Sequence, residues 1–388
     1  MFIEVEMERA EFIQAKRVVV KLGTNIIRNN EDGEVALSRI YSFIEDISKL
    51  VKNGKEVILV TSGAVGLGKK KLNLDSTADE GVKQACAAIG QSRLMAFYES
   101  GFGVYDIPIA QILLTEDDFS LRHKYLSLRT TMNKLLEFGV VPIINQNDTV
   151  TPIQSGLVNT GMKVNFSDND KLSALVASEL DADLLILLTD IDGLYTANPK
   201  VCSDAELIKE VEIVTDDIMN LGTDPSEGGR GGMKTKLEAA KLVTRFGGKV
   251  LIANGKIPYV INKIFNGEDL GTMFLPSKVS LADKKRWIGY ATNIFGGLVV
   301  NEGAKKAILE QFSSLLPIGI VNVVNEFKQG EVISIMDENN VEFARGMANY
   351  SSAECRKIVG SHSNDIENIL GYKNYDAVIT RDNITELI

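Results

Sequence analysis

Two lysines stand beside glycines where a chain can meet phosphate: Lys21, with Gly23, in VVVKLGT (residues 18–24), and Lys236, closing GGRGGMKTK (228–236). Ammonium groups, backbone N–H groups left accessible by glycine, and the positive end of a helix are the donors that a polyphosphate attracts. The first run also reads as an ordinary strand end with a solvated lysine. The second narrowly misses a Walker A loop, because Met233 stands where the glycine before Lys-Thr must be.

Groups suited to a small zwitterion lie between them. In TSGAVGLG (61–68) the small residues let the main chain approach an anion, and the Ser62 hydroxyl can donate to a carboxylate. The order Gly-x-x-Gly-x-Gly is not the dinucleotide fingerprint, and a tight turn without a ligand is the plainer reading. Asp148, in NQND (145–148), can accept from an ammonium group; in SDNDK (167–171), Asn169 can donate to a carboxylate and Asp170 can orient nearby lysines. Helix capping accounts for part of Asp168 to Asp170 equally well. TDIDGLY (189–195) offers Thr189 and Asp190 to a nucleotide.

Other chemistries lack material. His123 and His362 are the only histidines, too few for a His-rich metal site or a Ser/His/Asp triad. Cys86, Cys202 and Cys355 are far apart and show no metal-ligand spacing, so they read as reduced, buried thiols. There is no kinase catalytic loop and no Asp-Phe-Gly. A net charge of −10 disfavours polyanions in general. No apolar run approaches the roughly 20 residues of a bilayer span, and acidic residues at Glu4, Glu6, Glu8 and Glu11 do not suit a targeting peptide, so a cytoplasmic chain without membrane contact is expected.

The elements that must position these groups follow from hydrophobic pattern. Apolar runs at 18–21, 57–60, 107–114, 140–144 and 184–188 read as buried strands. Between the first two, Leu37, Ile40, Tyr41, Ile44, Ile47 and Val51 recur at helical spacing, with Gly54 as the stop. Further helices are expected over 83–99, 121–138, 171–180 and 233–246. The expected fold is α/β, a mainly parallel sheet sandwiched by helices, followed by a small β-rich domain with a hairpin across Asp337 to Asn340. The expected boundaries are an N-terminal extension (1–16), the α/β domain (17–274), a linker (275–294), the β-rich domain (295–375) and a tail (376–388).

Taken in order, these segments resemble the amino acid kinase superfamily and, within it, the glutamate 5-kinases, from Arg17 to about Tyr375. AAIGQSRLM (87–95), QILLT (111–115), DNDKLSA (168–174) and GGMKTK (231–236) carry the likeness. The resemblance implies ATP-dependent phosphorylation of the L-glutamate γ-carboxylate, the first step of proline biosynthesis. It implies that Lys21 and Lys236 contact the transferring phosphoryl group, that Asp170 holds them, and that Ser62, Asp148 and Asn169 bind glutamate. Lys21, Gly23, Thr189, Asp190, Arg230, Gly231, Gly232, Met233, Lys234, Thr235 and Lys236 would line the ATP site. Mg²⁺ would be held chiefly by the nucleotide phosphates, with no protein metal cage. Feedback inhibition by proline, homo-oligomers and hand-off of the acyl phosphate to glutamyl phosphate reductase are implied as well.

From VNEGA (300–304) onward the tail resembles a PUA module. PUA modules elsewhere bind RNA, but residues 300–388 hold 8 Lys/Arg against 13 Asp/Glu, 8 − 13 = −5, which argues against a phosphate-tracking surface. The competing readings are a kinase of another small acid or nucleotide and a PUA-based RNA-binding protein with a silent kinase fold. Departures from the family wording occur at Ser167 and Arg230, at Ser127–Leu128 and at Asn301.

Overall fold

The computed structural model describes residues 12–28, 35–74, 79–115, 118–119, 122–150, 169–199, 201–222, 232–277, 288–289, 294 and 296–387. The extension expected over 1–16 and the linker expected over 275–294 therefore fall largely outside the described residues. The chain forms two compact units.

In the first unit, aliphatic runs without alternation form strands buried on both faces, as a sheet between helix layers requires, except at the sheet edge over 109–114, where only Leu114 is buried and Gln111 is exposed. β1 (Arg17–Leu22) is the axis: it pairs in parallel with β2 (Glu56–Val60) on one side and β5 (Leu184–Thr189) on the other. β3 (Ile109–Leu114) and β4 (Val141–Gln146) continue past β2. β7 (Lys249–Asn254), β8 (Thr272–Phe274) and β6 (Glu210–Val211) continue past β5. The order is β3-β4-β2-β1-β5-β7-β8-β6, parallel except at β7–β8. The strand expected from Ile107 begins only at Ile109, after Pro108, which has no N–H for the ladder. β6 and β8 are too short to show a period in the sequence and are not among the expected strands.

The register matters more than the strand count. Lys21 lies opposite Val60 and Leu187, and Val60 opposite Ile144, so the strand ends carrying Lys21, Thr61–Ser62, Asn145 and Thr189 share one edge of the sheet. That edge is where open α/β sheets bind ligands. Helices α1 (Thr24–Ile27), α2 (Leu37–Lys52), α3 (Ala64–Lys71), α4 (Glu80–Gly103), α5 (Arg122–Glu137), α6 (Asn169–Glu179), α7 (Asp216–Asn220), α8 (Met233–Arg245) and α9 (Val260–Phe265) connect the strands. On α2 the buried face is Ile40, Phe43, Ile44, Ile47 and Leu50; of the expected stripe Ile40, Ile44 and Ile47 are buried, whereas Leu37 and Tyr41 are exposed and Val51 is half-buried, so the packed face is rotated from the expected one.

The second unit is a five-stranded sheet, with β9 (Gly297–Val300), β10 (Ile320–Val324), β11 (Val332–Met336), β12 (Glu342–Met347) and β13 (Ile384–Glu386) in the order β10-β9-β11-β12-β13. The expected hairpin is present: the Asp337 carboxylate accepts from the Asn339 and Val341 N–H groups, both at 3.0 Å, and Asn340 takes a left-handed φ of 61°. Asn301, a departure from the family wording, caps α10 (Glu302–Gln311) by accepting from the Ala304 N–H at 2.9 Å. The substitution keeps the capping oxygen, so it costs the helix little.

Asp46 stands on the packed side of α2. It is buried and accepts from the Asn262 N–H, at the start of α9, at 3.2 Å. Burial pushes its carboxyl up to about 6, against the opposing pull of the Asn262 N–H and the Lys49 charge. The folded chain thus binds this proton more tightly than the unfolded chain, and stability falls as pH rises from about 4 to about 6. Asp46→Asn retains the acceptor without the buried charge. Its melting temperature is expected to exceed that of the parent at pH 7.5, with the gain absent at pH 4; a gain equal at both pH values would contradict the assignment.

Candidate active site

Asp170 stands in the first turn of α6, where the helix dipole favours a negative group. Its Oδ1 lies 2.5 Å from Lys21 Nζ at the end of β1, and its Oδ2 lies 3.0 Å from Lys236 Nζ in the first turn of α8. The Thr235 hydroxyl, expected at the nucleotide, lies 3.0 Å from the same Oδ2 and 2.9 Å from the Gly232 carbonyl, so its one hydrogen is shared between these two acceptors. Lys21, Asp170 and Lys236 are 5%, 0% and 6% exposed. Residues far apart in the chain thus meet in one buried ionic cluster, carrying two positive charges and one negative.

A lysine in the first turn of a helix opposes the dipole, and α8 has no side-chain cap at Gly232; Asp170 supplies the missing counter-charge. Burial alone would raise the Asp170 carboxyl. The charges of Lys21 and Lys236, with their hydrogen bonds, override it and hold the group well below the usual carboxylate range. Its stabilising contribution is therefore complete above about pH 4 and is lost only as pH falls below that.

The second cluster is built on β2 and its turn. Gly63, with φ of 98°, turns the chain so that α3 starts at Ala64. Residues 64–71 are therefore helical, and Gly66 and Gly68 do not form the anion-cradling loop expected over 61–68. At Gly68 and at Gly90 on α4 smallness serves packing: a Cβ on Gly68 would lie 1.9 Å from the Cys86 carbonyl oxygen, and one on Gly90 would lie 1.7 Å from that of Ala64. Thr61 is pinned by Tyr98, hydroxyl to hydroxyl at 2.7 Å. Asn169 Nδ2 lies 2.8 Å from the Thr61 carbonyl, 2.7 Å from Ser62 Oγ and 3.1 Å from Asn145 Oδ1, three acceptors that share its two hydrogens. The Ser62 hydroxyl hydrogen remains available to a ligand. Asp148 occupies the half-buried turn directly after β4.

On the other flank, Thr189 ends β5 and its hydroxyl donates to Asp190, which also accepts from Asn25 Nδ2, both at 3.3 Å. Asp192 accepts from Asn254 Nδ2 at 2.8 Å and from the Tyr195 hydroxyl at 3.2 Å. Asn25 and Asn254 lie on α1 and at the end of β7, and no motif in the sequence marks them. Gly23 N–H is taken by the Leu188 carbonyl at 3.3 Å, so this glycine contributes room beside Lys21, not a free donor. Gly232 opens α8; Met233 is half-buried and Lys234 exposed. Arg230 and Gly231, expected at the nucleotide, lie outside the described residues, as does Ser167.

Residues 16–254 match the model of the amino acid kinase family, and residues 296–370 match that of the PUA domain. The chain belongs to the amino acid kinase family. Among its members it is 45% identical over 375 residues to the glutamate 5-kinase of Thermoanaerobacter sp. strain X514, covering 96% of this chain and 98% of the relative. It is 43% identical over 386 residues to the glutamate 5-kinase of Methanosarcina acetivorans, covering 97% and 98%. The amino acid kinase fold is also seen in the carbamate kinase from Giardia lamblia bound to AMP-PNP, with a TM-score of 0.50 at 15% identity, covering 68% of this chain and all of that one.

Asp170→Asn would leave two buried ammonium groups without their counter-charge, and a loss of about 3–5 kcal/mol in urea unfolding is expected. Unchanged stability would mean that the lysines are not held by this carboxylate. Gly90→Ala forces α3 away from α4, with an expected cost of about 1–3 kcal/mol, and also loosens the turn that carries Ser62. Thermal melting together with the KM for the carboxylate substrate checks this, and a variant with both unaltered would count against the close-packing role.

Proposed function

We propose that the chain transfers the γ-phosphate of ATP to the side-chain carboxylate of L-glutamate, giving L-glutamyl 5-phosphate. The observation that carries this is the Lys21–Asp170–Lys236 cluster at the sheet edge, within a chain whose full-length relatives are glutamate 5-kinases. An intact cluster of this kind also stands against a silent kinase fold.

The chemistry forces a carboxylate oxygen and a phosphoryl group, both negative, into line. An ionised carboxylate needs no general base, so alignment and electrostatic stabilisation supply the rate. Lys21 and Lys236 are fixed in advance by Asp170, and the cluster carries one surplus positive charge in a nearly dry setting. Such preorganised charge acts at the transferring phosphoryl without reorganisation during reaction. Ser62, Asp148 and Asn169 would hold the amino acid, and Thr189, Asp190 and residues 230–236 the nucleotide.

A divalent ion, Mg²⁺ in this proposal, neutralises charge on the nucleotide phosphates. Asp170, with its two oxygens committed to lysines and Thr235, fits a metal held by the phosphates better than one held by this carboxylate. The glutamate 5-kinase likeness extends the proposal to a cytoplasmic homo-oligomer, to proline as feedback inhibitor, and to hand-off of the labile acyl phosphate to glutamyl phosphate reductase.

With ATP, Mg²⁺ and hydroxylamine, the purified protein is expected to form a trapped hydroxamate from glutamate but not from aspartate or N-acetylglutamate. Lys21→Ala and Lys236→Ala should each lower kcat by about 10²–10³-fold, as losing one transition-state donor does. Near-normal turnover in both folded variants would remove their assignment.

A further inference from the structure

The buried amides beside the ionic cluster have only one self-consistent orientation. The Thr61 carbonyl can only accept, so the Asn169 atom 2.8 Å from it is Nδ2. The Gln146 N–H can only donate, so the Asn145 atom 2.9 Å from it is Oδ1. Asn145 Nδ2 then faces Gln91 at 2.9 Å, which makes that Gln91 atom Oε1. Two backbone groups thereby fix three side-chain amides in series, from Asn169 through Asn145 to Gln91, on three different elements.

Two atoms are left over: Gln91 Nε2 and Asn169 Oδ1 are both buried and have no hydrogen-bond partner among the described residues. Gln91 itself is 7% exposed. A buried amide donor without a partner is costly, and such groups in folded proteins are normally met by a ligand or an ordered water. One leftover is a donor and the other an acceptor, the complement of a carboxylate and an ammonium group. Asn169 spends Nδ2 within the protein, so the role left to it toward a ligand is that of acceptor, not the carboxylate donor its sequence suggests.

We propose that Gln91 is a substrate-orienting residue of the amino acid pocket, its Nε2 donating to the α-carboxylate of the bound glutamate. This rests on the glutamate kinase reading above. The γ-carboxylate must approach Lys21 and Lys236, beside Asp170. Gln91 is two amides removed from Asn169, the neighbour of Asp170, and so belongs to the opposite end of the substrate. Asn145 is the positioning residue between them, holding Gln91 by its oxygen and leaving the nitrogen to the ligand.

Gln91→Glu is the decisive variant, because it keeps an oxygen for Asn145 to bond while replacing the donor with a negative oxygen. Its KM for glutamate is expected to rise roughly 10–100-fold, the loss of a hydrogen bond to a charged group, with the KM for ATP unchanged. Binding of 4-aminobutyrate, which is glutamate without the α-carboxylate, should be unaffected. A glutamate KM within about two-fold of the parent would overturn the proposal, as would weakening of 4-aminobutyrate in equal proportion. If Gln91→Glu does not fold, Gln91→Met must show the same selective rise. A parent protein that forms no glutamate hydroxamate would instead defeat the kinase reading, whereas an active parent with an indifferent Gln91→Glu defeats only this inference.

Discussion

One carboxylate organises the first unit. Asp170 is fully buried, yet it is ionised because two ammonium groups reach it, one at each carboxylate oxygen, from the end of the central strand and from the first turn of a helix distant in sequence. Burial makes each partner expensive without the others, so β1, α6 and α8 are bound to a common geometry. The surplus positive charge that results can be aimed at phosphate without any further movement. Structure and chemistry here draw on the same electrostatic balance.

Around that centre the packing is unusually intolerant. Gly68 and Gly90 let α3 and α4 approach until backbone touches backbone, and the turn that launches α3 presents Ser62. Tyr98, on α4, ties down Thr61 from behind. The serine is thus held by main-chain contact and a buried hydroxyl pair, a stiffer support than a free loop. The chain of amides from Gln91 to Asn169 extends this rigidity sideways, linking α4, β4 and α6 through groups whose orientation the backbone dictates.

The second unit shows a different economy. Its hairpin is set by a single Asp337 carboxylate that gathers two backbone N–H groups, and its first helix by the Asn301 cap. These are local devices, each complete within a few residues. Accordingly the hairpin could be read directly from alternation and turn residues, while the pairing of β9 with β11 and of β12 with β13 could not.

The same division runs through the whole chain. Local order marked β1, β2, β4 and β5, most of β3, the helical pattern of α2, the family wording and the three charged residues of the centre, because periodicity and motif are properties of neighbours in sequence; the buried β7 was not among the expected strands. What lay beyond it were facts of convergence. TSGAVGLG reads as a cradling loop until Gly63 starts a helix there and Gly68 proves to be a contact point with α4. Asn25 carries no mark in the sequence, and the motifs that contain Thr235, Asn145 and Gln91 do not tell what these residues bond, since a hydrogen bond between residues tens of positions apart leaves no period to detect. Short strands such as β6 and β8 exist only because the sheet edge was there to receive them. The sequence by itself therefore named the charges, and the tertiary structure alone decided which of them meet, which amide atoms remain free, and which glycines bring helices together.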